Sequence, residues 1–99
     1  MDAGRYPNFA DLYANYFHQD WRLDDASADD VVKRYLRVAP PEEVDRLADE
    51  LTAVLAAHRS EGVLRADLGP FNNYDPAEDG LTVELWTQHL LELVESPIE

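Results

Sequence analysis

Residues 40–59 read PPEEVDRLADELTAVLAAHR, and this stretch decides the fold class. Val44, Leu47, Ala48, Leu51, Val54 and Leu55 recur at intervals of three and four, the spacing that puts side chains on one face of an α-helix. Pro40 and Pro41 suit the helix entrance, where proline's fixed φ is already helical and its missing N–H would have had no partner. Glu42, Glu43 and Asp45 fall near the positive end of the helix macrodipole, and His58 and Arg59 near its negative end. Glu42 and Arg46 add a surface pair worth about 0.2–0.5 kcal/mol. An apolar face of this length has to be buried, so the rest of the chain must supply elements that cover it.

Upstream, Phe9, Leu12, Tyr13, Tyr16 and Phe17 keep the same period, with Asn8 placed as the N-cap and an end expected near His18. Turn residues at Asp24–Ser27 separate this helix from a second one. Ser27 can cap the second at Asp30, while Val31, Val32, Tyr35 and Leu36 form its apolar stripe and Lys33, Arg34 and Arg37 close it. Downstream, a short helical piece is expected from Ser60 to Leu68, then a turn-rich stretch from Gly69 to Gly80. The last helix starts after Thr82 as cap, with Leu81 packing back on Trp86, and buries Trp86, Leu90, Leu93 and Val94 before Pro97 stops it. No stretch alternates with period two. The reading is all-α: a compact single-domain bundle of about five short helices over residues 1–99.

A chain of 99 residues hides roughly two-thirds of its unfolded surface on folding. Hydrophobic residues at 45%, including two tryptophans, five tyrosines and three phenylalanines, can fill one core of that size. The absence of cysteine excludes disulfides and thiolate metal sites, which suits a reducing compartment. Met1 to Tyr6 carries charge with no apolar run behind it, so neither a secretory signal nor a membrane span is expected and the cytoplasm is the expected location.

Charge is the most informative number: 21 acids against 8 bases give −13 at neutral pH. Such a field repels nucleic acid and anionic membranes, and a basic protein is its natural complement. Acidity of this kind also serves plain solubility. Acids at the starts of the second and third helices and bases at their ends are explained by the macrodipole without any partner.

The last third differs. After Arg65 no lysine or arginine occurs, while Asp67, Asp75, Glu78, Asp79, Glu84, Glu92, Glu95 and Glu99 accumulate. Glu92 and Glu95 fall in the closing turn of the last helix, where negative charge opposes the dipole at about 0.3–1 kcal/mol each. Charges that work against their own helix point to something outside the fold, and a basic protein surface is the simplest candidate. Asp75, Glu78, Asp79, Glu92 and Glu95, with Tyr74 beside them, are therefore the first candidate contacts; Asp20, Asp24 and Asp25 are the second. Around Pro76 and Gly80 the loop acids also have an ordinary reading as turn and cap chemistry. Charge reversals at the first five are expected to weaken partner binding and leave the melting temperature unchanged.

Chemistry finds little support. His18, Asp20, Asp24 and Asp25 supply imidazole and carboxylate, the materials of a metal site or an acid–base pair, but not at the spacing either requires. The acidic loop from Asp75 to Gly80 lacks the alternating ligands of a calcium-binding hand, and there is no glycine-rich phosphate loop, serine elbow or cysteine nucleophile. No enzymatic activity, cofactor, metal or small-molecule substrate is expected. Trp21 and Trp86 read as core residues.

Tyr6 and Pro7, then the run Tyr16, Phe17, His18, Gln19, Asp20, Trp21, resemble a family of immunity proteins from contact-dependent growth inhibition. The resemblance continues through two prolines followed by two glutamates at 40–43, then Tyr74, Asp75, Pro76, Asp79 and Gly80, then the helix carrying Trp86. It spans almost the whole chain, and the run from Tyr16 to Trp21 is its most specific part. It implies a helical fold in which most motif residues hold the core. It also implies binding to the C-terminal toxin domain of a surface-delivered effector, in many cases a nuclease, whose phosphate-binding groove would be basic. A different reading of the same charge is an acidic nucleic-acid mimic or regulatory adaptor that binds another basic protein.

Overall fold

The computed structural model describes residues 4–95 apart from 18, 58, 70 and 72. Among them six α-helices follow in chain order: α1 (Pro7–Asn15), α2 (Trp21–Asp24), α3 (Ala28–Val38), α4 (Pro41–Ala56), α5 (Glu61–Leu68) and α6 (Val83–Glu95), with a 3-10 turn at Pro76–Asp79 before α6. There is no strand among the described residues, so the fold is all-α. The sequence expectation omitted α2, because four residues are too few to show a helical period and are marginal without tertiary support.

The quoted stretch is α4, and α4 with α6 makes the central pair; α1 docks on α4, and α3 and α5 dock on α6. Leu47, Leu51 and Val54 bury the α4 stripe, meeting Val83, Trp86 and Leu90 of α6 in one core. Leu93 and Val94, expected inside, are only partly buried. The Cα radius of gyration is 12.6 Å, against about 13 Å for a folded domain of about 100 residues.

Of the motif run, Phe17 and Trp21 are core and Tyr16 packs against it, whereas Gln19 and Asp20 are exposed. Phe17 is fully buried with its ring centroid 5.0 Å from Tyr13, 5.5 Å from Trp21, 5.2 Å from Tyr74 and 6.1 Å from Trp86. Offset and edge-on aromatic pairs of this kind are worth about 0.5–1.5 kcal/mol each beyond their area. The cluster ties the α1–α2 connection to the loop before α6.

Helix ends show which local rules held. The Ser27 hydroxyl accepts from Asp30 N at 3.2 Å, and the Thr82 hydroxyl accepts from Leu85 N at 3.1 Å, both as expected. Asn8 is not the cap of α1. Pro7 takes the first helical position and Tyr6 the cap, whose side chain makes no capping bond. The free amides are met instead by Glu50 of α4, whose carboxylate accepts from Asn8 N and Phe9 N at 3.1 Å and from the Asn8 side-chain amide. Glu61 of α5 does the same for α6, accepting from Val83 N at 2.9 Å. A carboxylate at a helix N-terminus satisfies orphan donors and the dipole together. Helix α1 stops at Asn15, short of the expected end, and α4 stops at Ala56. His18, His58 and Pro97, to which helix ends were assigned, lie outside the described residues.

Candidate functional site

The loop from Gly69 to Gly80 is fixed from three sides. Gly69 leaves α5 at φ +85° and Gly80 closes the 3-10 turn at φ +75°, backbone that glycine adopts without a Cβ penalty. The Trp21 indole N–H donates to the Asn73 carbonyl at 3.0 Å, and the Asn73 side-chain amide donates to the Phe17 carbonyl at 2.9 Å. From α5, the two terminal nitrogens of Arg65 fork onto Asp75 at 2.9 and 2.8 Å, while its Nε donates to Glu61 at 3.0 Å.

Asp75 and Glu78 then make a reciprocal capping box: Asp75 accepts from Ala77 N and Glu78 accepts from Asp75 N, each at 2.9 Å. Arg22 lies over the Trp21 ring, 4.4 Å from its centroid, and forms an ion pair with Glu78. The Tyr74 ring is 2% exposed, and its hydroxyl donates to Asp79 at 2.6 Å.

These contacts set the titration behaviour. The Arg65 guanidinium, with the Ala77 N–H behind it, holds the Asp75 carboxyl below the ordinary value of 3.8. Asp75 in turn pushes the Arg65 guanidinium up. Burial, then the Asp79 carboxylate, pushes the Tyr74 hydroxyl up from 10.0, so it is a neutral donor at physiological pH.

Two grooves flank Asp79 and share Tyr74 as floor. The first runs between α2 and the start of α3, with Trp21, Arg22, Asp25, Glu78 and Asp79 among its walls. The second runs between the start of α3 and the outer face of α6, with Asp29, Asp79, Leu81, Leu85, Trp86 and Glu92. Each encloses about 400 Å³, at the small end for a ligand pocket. The His89 imidazole meets Asp29 at 2.8 Å across the second groove and joins α6 to α3.

Of the residues singled out from sequence, Tyr74, Asp79, Asp25, Glu78 and Glu92 line one or both grooves. Asp75 lies behind them in the Arg65 fork. Asp20 and Asp24 are exposed at the two ends of α2, and Glu95 is exposed at the end of α6. Asp25 also pairs with Arg34 at 2.6 Å. Tyr74 presents almost no ring surface, so it acts on the groove by holding Asp79.

Two expectations change. Asp75 and Glu78 carry the turn and cap chemistry that was their ordinary reading, so reversing either charge is expected to break the capping box and lower the melting temperature rather than leave it unchanged. The last third is also not one-signed in space: Arg5 and Arg59 reach Asp67, Arg65 reaches Asp75, and Arg22 reaches Glu78.

Sequence reasoning missed Arg22, Asp29, Leu85 and His89. Leu85 was legible: Val83, Trp86 and Leu90 set the inner phase of α6, which turns residue 85 outward. The Asp29–His89 pair spans 60 positions and leaves no local signal. No group of three or more His, Asp and Glu side chains is placed to hold a metal ion among the described residues. No helix among them is long and apolar enough to cross a membrane.

The class these features define is a small, acidic, all-helical domain with a mixed acidic and apolar surface around one loop. The family model for CdiI immunity proteins matches residues 5–94, and the chain belongs to that family. It is accordingly an immunity protein of contact-dependent growth inhibition, a binder of a cognate toxin. Neither a curated protein nor a solved structure matches the chain.

Proposed function

We propose that this chain neutralises a basic nuclease toxin domain in the cytoplasm of the producing cell by stoichiometric binding, without chemistry of its own. The observation that carries the reading is the surface beside Asp79, where Asp29, Asp79 and Glu92 edge a groove whose walls include no lysine or arginine among the described residues. A nuclease needs a cationic groove for phosphates, and an acidic protein can cover it, with long-range attraction speeding encounter. The contact set is Asp79, Glu92 and Glu95, with Asp20, Asp24 and Asp25 at the adjoining end of the surface. Asp75, Glu78 and Tyr74 support it by holding the loop.

Co-expression tests the assignment. The toxin domain encoded beside this chain's gene should kill when expressed alone and be harmless with the chain present. Persistent killing with both expressed rejects it. If the toxin is a nuclease, degraded DNA or RNA should accumulate in the unprotected cells; intact nucleic acid at the onset of death rejects that part alone.

A further inference from the structure

The two grooves differ in a way that chooses between them. In the first, Arg22 lies in the wall and is paired with Glu78, so its charge is balanced from within. The second has no lysine or arginine among the described residues of its walls, and its His89 is joined to Asp29. Its acids surround Leu81 and Leu85, with the Trp86 side chain beneath. Leu85 is 49% exposed although α6 has already filled the core with Val83, Trp86, Thr87 and Leu90. Leu85, Gln88 and Glu92 recur at three and four residues, so they form one outward stripe. Folding does not require a leucine at that place. An apolar centre edged by charge is the layout of a protein interface, where the centre excludes water and the edge steers and orients.

The occupant follows from the charge. A second copy brings another −13 and sets acids against acids, and nucleic acid does the same. Asp29, Asp79 and Glu92 all edge the groove, so a cation entering it meets carboxylates. We propose that the groove between the start of α3 and the outer face of α6 docks a segment of the toxin domain that carries lysine or arginine beside an apolar side chain, with Leu85 as the apolar anchor on this side. The proposal rests on the toxin-binding reading above and adds its location.

The test measures binding of the full-length chain and its variants to the toxin domain encoded beside it, after wild type has been shown to bind and protect. Leu85→Ala should raise Kd roughly tenfold, in proportion to the exposed half of the side chain that the interface would cover. Leu85→Arg should raise it more than a hundredfold. Glu92→Gln should slow association about threefold and flatten its salt dependence. Val38→Ala, at an apolar position exposed on α3, should bind as wild type.

Melting temperatures of Leu85→Ala and Glu92→Gln should match wild type. If wild type binds while both Leu85 variants stay within twofold of it, the groove is not the docking site and the toxin-binding reading survives. A loss at Val38→Ala as large as at Leu85→Ala overturns the location as well. Wild type that neither binds nor protects overturns both.

Discussion

Replacing Glu50 tests whether one helix is capped by another. Its carboxylate meets the amides of Asn8 and Phe9, two of the three donors that α1, with proline at its first position, cannot satisfy internally. Glu50→Ala removes a cap worth about 0.5–2 kcal/mol and a favourable charge at the dipole worth about 0.3–1 kcal/mol. The sum is a loss of about 2 kcal/mol. For a domain of this size a loss of 1 kcal/mol lowers Tm by about 4–8 °C, so the expected fall is about 8–16 °C. Glu50→Gln keeps one acceptor and loses the charge, and should fall about half as far.

The general repulsion in a chain of net charge −13 acts with the opposite sign, since removing any acid relieves it. Asp49→Asn, at an exposed neighbour with the same change of charge, isolates that term and should stay within about 0.5 kcal/mol of wild type. Urea denaturation should show lower midpoints for the Glu50 variants at an unchanged slope. Amide exchange at Asn8 and Phe9 should accelerate beyond the global change. If Glu50→Ala and Glu50→Gln unfold where Asp49→Asn does, the interhelical cap contributes nothing and the reasoning fails.

Asp75→Asn keeps an acceptor for the Ala77 N–H and should cost up to about 1 kcal/mol at neutral pH, from the weakened pair with Arg65. Because the folded Asp75 carboxyl titrates below 3.8, its contribution is present above that pH and lost as the pH falls through the folded value; the gap in melting temperature between mutant and wild type should close in that acid range, and a gap constant with pH contradicts the assignment. At the alkaline end, burial pushes the hydroxyls of Tyr13, Tyr35 and Tyr74 up from 10.0. Their contribution is full below pH 10.0 and lost above it, so tyrosinate absorbance and loss of helical circular dichroism should rise together; ionisation of all tyrosines with the helices intact would refute it. Glu95→Lys should slow toxin association with no fall in melting temperature, because it replaces a charge opposed to the α6 dipole by one that suits it, and association at the wild-type rate places the contact elsewhere. Glu78→Lys should lower the melting temperature through the broken capping box, and a stability equal to wild type would show the box to be dispensable.

The helices that the sequence reveals are those whose own residues carry the instruction. The α4 stripe, the Ser27 cap and the Thr82 cap all act within one element, at spacings of three or four. The start of α1 was legible too, because a proline at position 7 belongs at the first helical position and makes residue 6 the cap. Asn8 drew the assignment only because its side chain is a good cap former. What stayed hidden acts at a distance: Glu50 reaches back 42 positions, and Glu61 reaches forward 22. A glutamate on an exposed-looking helix position gives no local sign of which amide it serves. The single turn of α2 was hidden for the same reason, since Trp21 holds it by its bond to Asn73 and its place against Phe17.

The candidate site divides along the same line. Reading a run of acids as a surface charge assumes that bases near in sequence are the ones near in space. Arg5, Arg22, Arg59 and Arg65 break that assumption by reaching into the last third from outside it. Their cost in the sequence is small: four arginines hold the loop and its neighbours in place against the repulsion of so many acids. A consequence follows for binding. The acids so engaged are already partly neutralised, so they add little to the long-range field that a basic partner meets. The field is then set by acids outside these arginine pairs, such as Asp79 and Glu95, whose removal should change the association rate and its salt slope, whereas removal of Asp75 or Glu78 should act chiefly through loss of the folded loop. Equal salt slopes for the Glu95 and Asp75 variants, at temperatures where both are fully folded, would mean that the arginines do not divide the acids in this way.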